Sequence, residues 1–190
     1  PLRQTQREVQ LKMMHLEQFQ SMFKVHKFPT LRDPIDYANA KYFGFSLKKE
    51  KIAANMLNFS KQCIHTSLTQ LPTPKESKAA VKLFKYVLCY MGDKKNYSSK
   101  VTLATDFLNA ALSGDLNLRT ELFIQVIKQL TRNPNVESEK AGWDLLALLI
   151  VTVPPPPLLE NFLTVFLMQN GRKRGQAWIS EMHRTQYERS

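Results

Sequence analysis

Hydrophobic positions in this chain recur mostly at intervals of three and four, the spacing that aligns side chains on one face of an α-helix. From 118 to 130, Leu118, Leu122, Val126 and Leu130 repeat every fourth residue, and Phe123 and Ile127 widen the stripe, so one face must be covered. The other face carries Arg119, Glu121, Gln125, Lys128 and Gln129. Asn133-Pro134 ends this helix, because proline disfavours the helical conformation in the residue before it and brings no backbone donor. Ser138 stands where it would cap the next helix. From Trp143 to Val153 that helix is apolar nearly all round, which predicts a central element buried by several neighbours, and Pro154 to Pro157 end it.

The same reading predicts helices elsewhere. Residues 3–25 are polar and helix-favouring, with Val9, Met13, Leu16, Phe19 or Gln20, and Phe23 three or four apart. Pro29, Asp33-Pro34 and the aromatics Tyr37, Tyr42, Phe43 and Phe45 suggest an irregular segment wrapping the core. A short helix is expected over 48–59, with Ile52, Met56 and Phe59 inward. Thr73-Pro74-Lys75-Glu76 is the clearest helix start: threonine caps, proline has the backbone angle of the first helical position, and glutamate completes a capping box. Gly92 supplies its stop. Further helices are expected over 99–112, 117–131, 138–153, 158–169 and 176–189, with Gly171 and Gly175 bracketing a basic hinge. No stretch alternates apolar and polar residues with period two, so the predicted fold is all-α, a single bundle of about six to nine helices without substantial sheet.

One segment resembles a known family. Leu118, Arg119 and Glu121, then Lys128-Gln129, Thr131, Asn133-Pro134, Glu137-Ser138, Gly142-Trp143, Leu145-Leu146-Ala147-Leu148 and Pro154-Pro155, resemble the second half of a myosin tail homology four domain. Tyr90-Met91-Gly92-Asp93 matches upstream, so the resemblance extends over roughly 42–175. Thr120 departs from the family pattern, standing where aspartate is usual. Domains of this kind occur in unconventional myosin tails, some plant kinesins and some Rho GTPase-activating proteins. The resemblance implies a division into an N-terminal helical extension and wrapping segment (1–40), the family domain (41–175) and a C-terminal helix (176–190). Arg119 and Glu121 are expected to join a polar network holding helices in register, and Trp143, beside Gly142, to lock helix against helix.

Composition narrows the chemistry. Across 190 residues, 27 Lys and Arg stand against 16 Asp and Glu, a net charge of +11, which favours anionic partners. The longest purely apolar run, Leu145 to Val151, falls well short of the roughly 20 residues a membrane-spanning helix needs. The first residues have neither an initiating methionine nor an apolar signal core, as expected for a piece of a longer cytoplasmic protein. Cys63 and Cys89 form no framework of disulfides or zinc ligands and read as reduced thiols. His15, His26, His65 and His183 offer no pair at metal-ligand spacing, and no glycine-rich phosphate loop or catalytic constellation is evident, so neither enzyme nor cofactor is expected.

The candidate functional residues are basic. Lys75, Lys78, Lys82 and Lys85 follow one another at helical spacing, opposite Val81, Phe84, Val87, Leu88 and Met91. Lys48, Lys49 and Lys51 form a second group, and Lys94 and Lys95, with Lys100, a third. Glu50, Glu76 and Asp93 are the only nearby carboxylates, so these groups should project positive potential. The family resemblance implies a non-catalytic, cytoskeleton-associated module that binds microtubules, whose tubulin tails are acidic, and supports neighbouring FERM or Rho GTPase-activating domains. Two alternatives compete with this reading. One is an anionic membrane met by Arg172-Lys173-Arg174 and Trp178; the other is a purely structural, regulatory role in a Rho GTPase-activating protein. The aromatics, set at core spacings and not interleaved with the lysines, argue against nucleic acid.

Overall fold

The structure, a computed structural model, describes residues 2–40 and 47–188. Among them the chain forms nine α-helices: α1 (Leu2–Met22), α2 (Pro34–Asn39), α3 (Leu47–Ala54), α4 (Pro74–Tyr90), α5 (Lys100–Ser113), α6 (Leu116–Leu130), α7 (Val136–Thr152), α8 (Pro157–Asn170) and α9 (Gly175–Glu188). Extended pairing among the described residues is limited to one antiparallel bridge, Leu31 with Thr69.

Local chemistry sets most of these boundaries. At α4 the capping box is complete: Thr73 Oγ1 accepts from the Glu76 amide, and Glu76 Oε2 accepts from the Thr73 amide at 2.8 Å. Gly92, at φ 80°, takes the left-handed conformation just beyond the last turn. Ser99 and Asp115 cap α5 and α6.

Four expectations are corrected. Asn135, not Ser138, caps α7, accepting from the amides of Glu137 and Ser138. The segment expected to be irregular contains α2, which starts because Asp33 accepts from Ile35 and Asp36 while Pro34 occupies the first helical position; Tyr42, Phe43 and Phe45 lie outside the described residues. α3 ends at Ala54, short of 59, as Asn55 and Met56 tighten into turns on Ile52 and Ala53. The basic segment expected as a hinge between the glycines at 171 and 175 is a regular turn in the structure. Between them runs a tight 3-10 turn, Arg172–Arg174, and the Cα of Gly175 would lie 2.6 Å from a Cβ placed on Gly171.

α4 to α7 form the centre, and α7 also meets α9, which in turn packs along α8. The most enclosed element is α6, where every residue from 120 to 130 is buried. α7 has neighbours on several sides, yet Asp144 and Leu148 remain exposed, so it is buried less completely than its apolar run predicts. Gly142 lets α7 close on its neighbours: an added Cβ would come within 2.8 Å of Met91 Cε and 2.9 Å of Leu130 Cδ2. α1 stands apart, with residues 8–18 all exposed. Its hold on the bundle is aromatic, through Phe23, which meets Phe162 edge-on at 5.2 Å.

Candidate interaction surface

The polar residues of α6 face inward and grip the main chain. Glu121 Oε1 accepts from the amide of Leu68, and its Oε2 from both the amide and the hydroxyl of Thr69. Gln125 Nε2 bridges Glu121 to the Ala80 carbonyl of α4. One turn on, Lys128 Nζ donates to the Asn58 carbonyl, while Gln129 accepts from the Ser60 amide and donates to the Ser60 carbonyl. The polar face of this helix therefore binds the irregular stretch between α3 and α4 at Asn58, Ser60, Leu68 and Thr69, satisfying main-chain groups that would otherwise be left unpaired. Burial sets the titration of both charged members: desolvation raises the Glu121 carboxyl against the lowering effect of its four donors, and it pushes Lys128 down to about 8.

Other residues of the family pattern act likewise. Arg119 Nε donates to the carbonyls of Ala111 and Gly114, and its Nη2 to Leu112, closing the C-terminal end of α5. Thr120, in the unusual position, bonds back to the Leu116 carbonyl and needs no charged partner. Asn133 Nδ2 donates to Ser138 Oγ, which donates to Asp93 Oδ2 at 2.7 Å, so two separate sequence motifs meet in one chain of hydrogen bonds. Trp143 stacks on Trp178 at 5.0 Å and on Phe166 at 5.7 Å, with its indole donor on Glu139. These are architectural tasks.

The nine candidate lysines are divided in their placement. Lys75, Lys78, Lys82 and Lys85 are all exposed on α4, within roughly 80° of arc and along roughly 15 Å. Lys94 and Lys95 are exposed just beyond the helix. Lys94 reaches Cys63 Sγ at 3.7 Å, and the Cys89 thiol, raised by burial, feels the opposing charges of Lys94 and Lys85, so Lys94 lies near the C-terminal end of the α4 row. Lys51 lines a hollow that it shares with Cys63. Lys48 is exposed, whereas Lys49 is half-buried and donates to Asn39 Oδ1, tying α3 to α2. Among the described residues no carboxylate pairs with the four α4 lysines: Glu76 serves the capping box and Asp93 serves Ser138. The basic turn at 172–174 is held differently, with Arg172 3.5 Å from Glu139 and Trp178 committed to its stack. No helix among the described residues is long and apolar enough to cross a membrane.

Sequence pattern alone did not reveal that Lys128 and Gln129 are buried. The available signal was the run of polar side chains at positions 121, 125, 128 and 129 on a helix whose remaining faces are apolar.

A profile of the MyTH4 domain family matches residues 105–189. The chain is also 38% identical to the high molecular weight form of myosin-1 of Acanthamoeba castellanii over 94% of its own length, and 33% identical to unconventional myosin-XVB of Homo sapiens over 68%. The chain carries a MyTH4 domain. It spans 11% and 4% of those two myosins, a small part of each. The fold agrees: the Dictyostelium discoideum myosin VII MyTH4-FERM MF1 domain (mutant 2) superposes over 87% of this chain and 33% of that one, with a TM-score of 0.68 at 20% identity. A MyTH4 domain is a non-catalytic interaction module of myosin tails, and in that solved structure it stands beside a FERM domain.

Proposed function

We propose that this MyTH4 domain is a cytoplasmic, cytoskeleton-associated module that binds the acidic surface of microtubules through the exposed edge of α4 and gives neighbouring domains of its parent protein a rigid support. The observation that carries this reading is the row Lys75, Lys78, Lys82 and Lys85, exposed on one edge of a well-capped helix and free of carboxylate partners among the described residues. Lys94 and Lys95, exposed just beyond the helix, and Lys48, Lys49 and Lys51 of α3 are assigned to the same surface. Such a surface steers an anionic partner at low salt and loses its hold as exposed charges are screened over about 8 to 10 Å. The membrane alternative draws less support, because Trp178 is occupied by Trp143 and Arg172 by Glu139.

Cosedimentation with microtubules, anionic liposomes and duplex DNA, each at low and high salt, tests the proposal. Microtubule binding should fall with salt, and it should weaken by about ten-fold or more in a folded Lys78→Glu, Lys82→Glu, Lys85→Glu variant. Binding unchanged by those reversals would reject the α4 surface, and binding to liposomes alone would reject microtubules as the partner.

A further inference from the structure

A groove of about 710 Å³ opens between the 3-10 turn at Val25–Lys27, the end of α3 and the C-terminal ends of α6 and α8. Its size falls in the range of pockets that hold specific ligands, roughly 300 to 1,000 Å³. The floor is apolar: Ile127, Val165 and Met56 rise from the core, and Leu57 is only half-covered. The walls carry Lys24, His26, Arg32 and Arg132, with no aspartate or glutamate among the lining residues. None of the nine lysines of the proposed microtubule surface contributes to it.

Two features oppose or favour an anion here, and their magnitudes can be compared. The C-terminal ends of α6 and α8 bring about half a negative charge each. At the end of α6 most of the terminal carbonyls are engaged, and at the end of α8 that of Leu167 is. The Thr131 amide takes those of Ile127 and Lys128, the Asn133 side chain that of Gln129, the Gly171 amide that of Leu167 and the Asn170 side chain that of Phe166. Three permanent cations outweigh two dipole ends that together bring about one negative charge. Arg32 is held in place by bonds from Nε and Nη2 to the Ser67 carbonyl and hydroxyl. Arg132 sits at φ 55°, a conformation that costs a residue with a Cβ roughly 1 kcal/mol, just past the end of α6.

We propose that this groove docks an acidic segment of a partner protein, with apolar side chains set on the Leu57 floor and carboxylates against Lys24, Arg32 and Arg132. An amphipathic helix laid into a groove, anchored at helical spacing, is the recognition mode that combines these two demands.

The probe is a fluorescein-labelled peptide of about 14 residues with leucine and phenylalanine at helical spacing and glutamate between them, beside a counterpart carrying glutamine in place of every glutamate. Fluorescence anisotropy with the 190-residue chain should show saturable binding of the glutamate peptide and about ten-fold weaker binding of the glutamine one. Lys24→Glu with Arg132→Glu, both at exposed positions, should weaken the glutamate peptide by about ten-fold or more while circular dichroism and melting stay unchanged. Leu57→Asp gives a second reading of the same site. The α4 charge-reversal variant should bind this peptide within about two-fold of the original chain, which separates this groove from the microtubule surface. Absence of saturable binding up to about 1 mM, equal affinity for the two peptides, or loss only in the α4 variant would each overturn the proposal.

Discussion

Glu121 Oε2 accepts 2.7 Å hydrogen bonds from both the amide and the hydroxyl of Thr69, a residue 52 positions earlier in the chain. Through this pair the most enclosed helix of the domain fixes the course of a segment with little regular structure. Replacing Glu121 tests how much of the fold depends on it. Glu121→Ala leaves two buried main-chain donors unpaired, at about 1–3 kcal/mol each, so a total loss of about 2–6 kcal/mol is expected. Glu121→Gln keeps the shape but turns an amide donor toward other donors, and should cost about 1–3 kcal/mol. Urea denaturation gives both values, and a glutamine variant as stable as the original would show that the negative charge contributes nothing.

The turn before α9 offers a case in which two effects oppose each other. Gly175 is in helical conformation at the first position of α9, where alanine would gain up to about 1 kcal/mol of helix propensity. Yet a Cβ at Gly175 would lie 2.5 Å from the Leu167 carbonyl oxygen, a main-chain atom that cannot swing aside. Pushing α9 outward would disturb Ile179 and Met182 in the core, a packing loss of about 1–3 kcal/mol, so the clash is expected to win. Gly175→Ala should lower the melting temperature and weaken the near-ultraviolet circular dichroism of the Trp143–Trp178 stack. A more stable variant with an unchanged tryptophan signal would refute the clash.

Helix α1 should matter little to stability. Val9, Met13 and Leu16 lie on one face at helical spacing but are 51%, 58% and 44% exposed, whereas Phe23 meets Phe162. Removing residues 1–17 should therefore change unfolding free energy by less than about 1 kcal/mol, while Phe23→Ala should cost about 1–3 kcal/mol. Chemical denaturation of both variants distinguishes the free part of the helix from its anchor.

How much of this was legible in the sequence depended on whether the cause was local. The α4 start was readable because Thr73, Pro74 and Glu76 act on one another within a single turn. Gly92 and the helical spacing of the α4 lysines were readable for the same reason. The α7 cap is not legible because Asn135 and Ser138 are both good caps, and Ser138 is drawn away by Asp93, 45 residues upstream. Likewise the inward role of Lys128 and Gln129 depends on Asn58 and Ser60, which no periodicity in α6 can reveal. The groove, too, collects Lys24, Arg32 and Arg132 from three separate segments, so neither charge clustering nor spacing marks it.

Lys128 should leave its mark on the pH dependence of stability. Its amine is buried against the Asn58 carbonyl, and burial pushes it from 10.5 down to about 8. Between those two values the unfolded chain holds a proton that the folded one has released, so stability attributable to this group rises with pH across that window. Below about pH 8 both states are protonated and the full cost of burying the charge is present, on the order of 3 kcal/mol. Lys128→Met removes the titration and the charge but also the hydrogen bond, worth about 1 kcal/mol. The methionine variant should therefore be the more stable chain near neutral pH and lose that advantage by about pH 10, as the lysine original gains on it. Urea unfolding of both chains from pH 7 to 10.5 measures the difference directly. A difference that stays constant across the range would mean that Lys128 titrates as an ordinary exposed lysine and that the hydrogen bond to Asn58 opens readily to water.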